Sequence, residues 1–464
     1  MASLLGVYHR LPACVRSPFA SLRGYYLSWW RYGPETERLV EEALAREAWT
    51  PAQWEKWASD QLARLLHHAA TRVPYYREFW AGRRREGGRL SWELLANWPV
   101  LAKEELRRNP AAFLADDCRP SRMFVTHTSG TTGTPLRLYQ SRAAIRAWYA
   151  LSEARWRRWY GLTRGDRWAI LGGQLVTPAA QRTPPFWVRN RGLNQLYLSA
   201  YHLAPDLIPH YVNALREFAP VYLLGYSSAL HVLAGECLRQ GVTDLRFKTV
   251  LTNAEPLYEH QRETISRAFQ CPVRETYGMS EKAAGASECD HGRLHLWPDA
   301  GVAEIESPDE TGAGELLVTG LLNRDMPLIR YRVGDRARLA QEMGVCACGR
   351  SLPVLESVEG RSDDVLLTPD GRRIGRLDPV FKGELGIREA LIIQEEVDRV
   401  RVVAVPAAGF GVAQEQQLRA LLRARLGPAM RVEIETAASI ARGPNGKFRA
   451  VISRLPAGSA LPRT

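Results

Sequence analysis

The sequence predicts an α/β protein: a large layered α/β domain, a helical region added in front of it, and a small mobile α+β domain behind it. Three observations predict this. Apolar residues recur at helical spacing up to about residue 120. Short buried runs alternate with helical runs between about 140 and 340. Beyond Gly360, hairpin-like strands surround one helix. The divisions drawn from these changes of texture are 1–120, 121–362 and 363–464.

In chain order, Glu35–Glu47 has apolar residues three and four apart. Trp54, Trp57, Leu62, Leu65 and Leu66 continue a helical pattern, and Pro74 closes the run. These aromatics suit a helical layer packed on the main domain. Tyr25–Tyr32 mixes aromatic and basic residues, which suits either such packing or a membrane surface. Arg142–Tyr160 reads as a helix and Trp168–Gly173 as a buried strand. Tyr211–Phe218 is helix, Val221–Gly225 strand, Ser228–Gln240 helix, Thr249–Asn253 strand and Gln261–Phe269 helix. In such a sheet, sites lie at the carboxyl ends of strands, where Tyr222–Tyr226, Leu251–Glu255 and Arg274–Tyr277 fall. In the last segment Val365–Leu367 and Arg372–Ile374 flank a Pro–Asp–Gly turn as a hairpin. Arg388–Glu395 and Asp398–Val405 read as strands, Ala413–Leu426 as a helix, and Arg431–Glu435 as the last strand.

Composition bounds the function. Hydrophobic content of 45% and charged content of 24% are ordinary for a soluble globular chain. No run reaches bilayer length, and His9-Arg10 interrupts the short apolar opening, so neither a membrane span nor a signal peptide is expected. Seven cysteines, an odd number, argue against a disulfide framework and for a reducing compartment, with the cytoplasm as default. A net charge of +12 suits anionic small molecules such as ATP, coenzyme A or acidic glycans. No nucleic-acid motif accompanies it, which argues against a nucleic-acid partner.

The stretch Val125–Leu136 packs Ser129, Gly130, Thr131, Thr132, Gly133 and Thr134 into a short loop before a plausible strand, Arg137–Tyr139. Two glycines let the backbone turn so that N–H groups form an anion-binding nest, and the hydroxyls add donors. A polyphosphate is the expected ligand. The spacing and lysine of a Walker loop are missing.

This stretch, with five others in the same order, resembles the adenylate-forming superfamily of acyl-CoA synthetases, luciferases and peptide-synthetase adenylation domains. Within it the chain is most similar to the phenylacetate–coenzyme A ligase family, including relatives found with capsule-biosynthesis genes. The matching segments are Thr128–Pro135, Asn253–Pro256, Glu275–Glu281, Tyr331–Asp335, Gly360–Asp364 and Gly446-Lys447. The resemblance implies ATP-dependent activation of a carboxylic acid to an acyl-adenylate, followed by transfer to a thiol, coenzyme A. Transfer to an amine or hydroxyl, for instance on a surface polysaccharide, is the alternative. A nucleotide-binding scaffold without chemistry is the second.

By the same resemblance, Ser129–Thr134 would hold the β- and γ-phosphates, although Thr134 stands where relatives often carry lysine. Asn253, Ala254, Glu255 and Pro256 would line the adenine face, and Tyr277, followed by Gly278, Met279 and Ser280, would stack on the base. Glu281 would be the Mg²⁺ carboxylate, Asp335 the ribose acceptor and Arg361 an arginine facing the nucleotide. Gly225, Tyr226 and Ser227, with Gly172-Gly173 and Tyr201 nearby, would form the acyl pocket. Asp363 or Asp364 would be the hinge on which the small domain swings. Lys447 would enter the site to bridge the substrate carboxylate and the α-phosphate. None of this identifies the acid.

A further constellation rests on ligand chemistry. Cys289, His295, Cys346 and Cys348 supply four soft donors suited to structural Zn²⁺, with His291 as an alternative nitrogen. Cys14, Cys118, Cys237 and Cys271 are scattered and read as structural.

Overall fold

The computed structural model describes residues 7–85, 91–127, 136–174, 176–178, 181, 183–341, 344–361, 366–369, 373–374, 385–407, 409–441 and 450–455. Four helices open the chain: α1 (Ala13–Arg31), α2 (Thr36–Ala45), α3 (Pro51–Arg72) and α4 (Pro74–Arg85). Thr50 and Gln53 form a capping box at the start of α3, with Pro51 in the first turn, where its missing N–H costs nothing. Pro74 does close α3, but it also opens α4, for the same reason. The inward face of these helices is core. Leu65, Leu66, Tyr76 and Trp80 share one apolar cluster with Leu316, Val318, Tyr331 and Ala337 of the main domain.

Strands β1 (Phe124–His127) and β2 (Arg137–Gln140) form an antiparallel hairpin. Next come β3 (Trp168–Gly172), β4 (Trp187–Asn190), β5 (Gln195–Ser199), β6 (Tyr222–Gly225), β7 (Thr249–Thr252), β8 (Val273–Gly278), β9 (Gly285–Glu288) and β10 (Leu294–Leu296). They build an eight-stranded sheet in the order β10-β9-β8-β7-β6-β3-β5-β4. Its centre, from β5 through β8, is parallel, and β4, β9 and β10 add antiparallel edges. Helices Ile208–Phe218, Ser227–Arg239 and Glu259–Phe269 carry Tyr211, Leu215, Leu230, Leu233, Ile265 and Phe269 onto the apolar strands. Fully buried parallel strands need such cover.

A second, antiparallel sheet holds β11 (Gly301–Glu306), β12 (Gly314–Gly320), β13 (Tyr331–Leu339) and β14 (Leu355–Arg361). Beyond it, β15 (Leu366–Leu367) pairs with β16 (Arg373–Ile374). The strands β17 (Ile387–Glu396), β18 (Arg399–Pro406), β19 (Arg431–Thr436) and β20 (Val451–Ser453) form a last sheet. Helix Val412–Leu426 packs Leu418, Leu422 and Leu426 against Ile392, Val400, Val402 and Val432 there. Arg431–Glu435 is therefore not the final strand. Val451–Ser453 follows it and pairs parallel to β17, and a run of three residues is too short to show a period-two pattern.

Candidate active site

At the carboxyl ends of β6 and β7, hydrogen bonds run on past the strands. Tyr226 N–H donates to Leu171 C=O (3.4 Å) and Asn253 N–H to Gly225 C=O (3.1 Å), which sets Gly225–Ser227 beside Asn253–Pro256. Ala254 lies between them in the left-handed region at φ 62°, a strained conformation for a residue with a Cβ. The Glu255 carboxylate accepts from Ser228 N–H (3.0 Å), and the Ser227 hydroxyl donates to Glu255 C=O (3.3 Å). An acid at a helix N-terminus satisfies an orphan N–H and favours the dipole. The residues assigned by resemblance to the adenine face and to the acyl pocket are thus one hydrogen-bonded unit.

Beside it lie three tyrosines. Tyr201 Oη donates to Gly173 C=O (3.1 Å), and Tyr197 Oη accepts from Gln174 N–H (2.9 Å). Burial pushes all three phenols up, Tyr201 to about 12, and for Tyr226 the Glu255 charge adds to it. Hydrogen bonds tie Tyr197 and Tyr201 to the Gly173-Gln174 segment that follows β3.

Next to β7 in the same sheet, β8 delivers Tyr277, whose hydroxyl donates to Asp335 Oδ2 at 2.7 Å. Asp335 is in turn the cross-strand partner of Arg361 in the β13–β14 register. Past Gly278 the chain turns through Met279 and Ser280, closed by Lys282 N–H to Met279 C=O (3.1 Å). Glu281 points inward, its side chain 7% exposed. It accepts from Tyr331 Oη (2.9 Å), and Lys103 Nζ stands 3.9 Å away. Burial, followed by the Glu281 charge, holds the Tyr331 phenol far above its usual range. Gln140, at the end of β2, donates to Ser280 C=O (3.0 Å) and accepts from Lys282 Nζ (2.8 Å). Burial pushes Lys282 down to about 8, with Arg31 acting in the same direction. The hairpin whose connection carries Ser129–Thr134 is therefore tied directly to the Glu281 turn. Ser129–Thr134 themselves, Asp363, Asp364, Lys447 and the Arg361 side chain lie outside the described residues.

Lys103, Tyr331, Gln140, Lys282 and Tyr197 escaped the sequence reading. Tyr331 opens the Tyr331–Asp335 motif and was within reach. Lys103 lies in a helical segment far from Glu281 in sequence, and nothing local marks it.

A second cluster sits where β9 and β10 meet the segment before β14. One ligand atom each from Cys289, His295, Cys346 and Cys348 lies within 4.8 Å of every other. Two matching turns present the thiols. The backbone C=O of Cys289 accepts from Gly292 N–H (3.0 Å) and that of Cys346 from Gly349 N–H (2.8 Å). Gly292 and Gly349 take φ 74° and 83°, which glycine adopts without steric cost. His295 Nδ1 is 3.2 Å from Leu352 C=O, which fixes the proton there and leaves Nε2, 3.4 Å from Cys348 Sγ, as the free donor. His291 is exposed and stands outside this group, so the structure groups His295, and not the alternative His291, with the three cysteines. Arg350 stacks on Trp159 and donates to Glu47 Oε2 (2.8 Å), linking the cluster's rim to the N-terminal helical region.

The fold matches that of solved CoA ligases. A crystal structure of 2-hydroxyisobutyryl-CoA ligase, in the postadenylation state, superposes with a TM-score of 0.69 at 21% identity, covering 88% of this chain and 91% of that one. That likeness concerns the fold. Residues 366–454 match the CapK C-terminal domain model. Protein CapK of Staphylococcus aureus is 26% identical over 387 residues, 82% of this chain and 85% of CapK. The phenylacetate–coenzyme A ligase of Thermus thermophilus is 26% identical over 355 residues, 72% of this chain and 74% of that enzyme. The chain is a homologue of CapK and of the phenylacetate–coenzyme A ligases.

Proposed function

We propose that the protein is an AMP-forming ligase that activates a carboxylic acid with ATP and passes the acyl group to the thiol of coenzyme A. The observation that carries this reading is that three groups lie together at the carboxyl ends of β7 and β8 and in the turn that follows β8. They are the Asn253–Pro256 turn, the Tyr277–Asp335 pair and the inward Glu281. Tyr277, its ring oriented by Asp335, stacks on adenine, while the free carboxylate oxygen of Asp335 accepts from the ribose. The hydroxyls and N–H groups of Ser129–Thr134 hold the β- and γ-phosphates. A substrate carboxylate oxygen attacks the α-phosphorus and pyrophosphate leaves. Lys447 neutralises both anions as they meet, and Arg361 faces the developing charge. Mg²⁺, when held by Glu281, supplies further neutralisation of the phosphates. In the second half-reaction the thiolate sulfur attacks the acyl carbonyl and AMP leaves, after the small domain turns about Asp363 or Asp364. Gly225, Tyr226 and Ser227, with Tyr201 nearby, take the acyl chain, which favours an apolar or aromatic acid.

The test is ATP–pyrophosphate exchange by the purified protein against aryl, alkyl and amino acids, with and without coenzyme A. Exchange dependent on one acid class, with thioester formed when coenzyme A is added, is the expected result. No exchange with any acid, while ATP still binds, would overturn it. The alternative reading is an amine or hydroxyl acceptor. AMP release without matching consumption of coenzyme A would select it.

Cys289, His295, Cys346 and Cys348 would hold Zn²⁺, whose contribution is to cross-link two turns that no disulfide joins. Donor type, count and the tautomer fixed at Leu352 all fit a closed structural site. The Tyr25–Tyr32 segment is read as a peripheral membrane contact.

A further inference from the structure

Nine large hydrophobic side chains stand exposed among the described residues. Six of them, Val7, Phe19, Leu22, Tyr25, Tyr26 and Trp29, precede residue 30. At about 100° per residue, Phe19, Leu22, Tyr25, Tyr26 and Trp29 fall on one sector of α1, about 120° wide. The opposite face is fixed to the edge strand of the large sheet. Ser17 Oγ accepts from Arg189 N–H (3.1 Å) and Ser21 Oγ from Arg191 N–H (3.0 Å), so serine hydroxyls satisfy the open edge of β4. A Cβ on Gly192 would collide with the backbone of Gly24 and Tyr25, so the contact needs glycine there. Trp30 turns inward beside Phe124, their ring centroids 5.4 Å apart. The apolar sector is therefore held outward by a rigid seat.

Charge says what covers it. No Asp or Glu occurs before Glu35, whereas Arg10, Arg16, Arg23 and Arg31 do. Arg16 is consumed internally by Thr177 and Gln181, and Arg10 and Arg23 are exposed. A two-fold contact with a second copy would set this acid-free surface against itself. Tyrosine and tryptophan beside arginine, with no acid, match the boundary of a bilayer carrying anionic headgroups. No described helix is long and apolar enough to cross a membrane, so the helix would lie on the surface.

We infer that the outward face of α1, Phe19, Leu22, Tyr25, Tyr26 and Trp29 flanked by Arg23, docks on an anionic lipid surface. This rests on the reading of the N-terminal segment as a membrane contact and adds its face and lipid class.

The test is sedimentation of the full chain with phosphatidylcholine vesicles, with and without phosphatidylglycerol, at low and physiological salt. Binding is expected only with phosphatidylglycerol and weakens with salt. A Leu22→Asp/Tyr25→Asp variant, altered only at exposed positions, lowers the partition coefficient about ten-fold or more, with unchanged circular dichroism. Equal binding to neutral vesicles would refute the anionic assignment but keep the membrane contact. Absence of binding to either would refute both. Unchanged binding by the variant would refute this face. A concentration-dependent dimer that the variant abolishes, without vesicle binding, would give the face to a second copy.

Discussion

Tyr331→Phe isolates the hydroxyl that orients Glu281. The ring is fully buried, and phenylalanine keeps its shape, so packing is conserved and one hydrogen bond is lost. That bond is charge-assisted and its acceptor is 7% exposed, so its removal costs about 1.5–3 kcal/mol. Lys103 compensates little. At 3.9 Å the Coulomb attraction is about 4 kcal/mol for an effective dielectric near 20, but desolvation and partial exposure reduce the net to about 1 kcal/mol or less. Urea unfolding is therefore expected to show ~2 kcal/mol lost on Tyr331→Phe, and about a third of that on Lys103→Met. If Glu281 also holds Mg²⁺, freeing its carboxylate raises the Mg²⁺ concentration for half-maximal pyrophosphate exchange about ten-fold. A Tyr331→Phe protein with unchanged stability would refute the hydrogen-bond argument. Lost stability with an unchanged Mg²⁺ requirement would remove Glu281 from metal binding.

Other outcomes follow from the same geometry. Lys447→Ala should abolish acid-dependent pyrophosphate exchange while ATP binding, followed by calorimetry, persists; normal exchange would remove Lys447 from the chemistry. Metal analysis should find about one zinc per chain, and Cys348→Ser should lose it with a fall in thermal midpoint; metal-free protein with the wild-type midpoint would sink the site. Burial raises the phenols of Tyr76, Tyr160, Tyr211 and Tyr331. Folding therefore keeps them neutral when the unfolded chain, near pH 10, would ionise. Their stabilisation is complete below that pH and is lost as pH rises through it. The urea midpoint should drop between about pH 9.5 and 11, and a flat profile would contradict the burial argument.

How far the site could be read from the chain differs residue by residue. Glu255, Tyr277, Glu281 and Asp335 were accessible because each lies in a short motif, Asn253–Pro256, Glu275–Glu281 or Tyr331–Asp335, that carries the family resemblance. The Cys/His set, His295 included, was accessible as ligand chemistry; only the choice between His295 and the alternative His291 was left open. His295 lies in β10, opposite Ser287, where strand alternation turns it inward, and His291 lies in the exposed turn before it. That choice depends on register, which a stretch of three residues does not announce. The edge strand β4 and its cover were equally hidden, because Ser17 and Ser21 meet Arg189 and Arg191 across some 170 residues.

By itself, then, the sequence determined the α/β class, the order of helices and parallel strands, and the likeness to the phenylacetate–coenzyme A ligases. These are encoded in periodicity and in turn residues, which act over a few positions. Only the tertiary structure decided which groups complete the site. Lys103 and Tyr331 come to Glu281, Gln140 ties the β1–β2 hairpin to the Glu281 turn, His295 joins the three cysteines, and α1 turns five large apolar side chains to solvent. Each of these needs two distant segments to be seated at once, and the closure of long chain loops is driven by burial of the whole core rather than by any local signal.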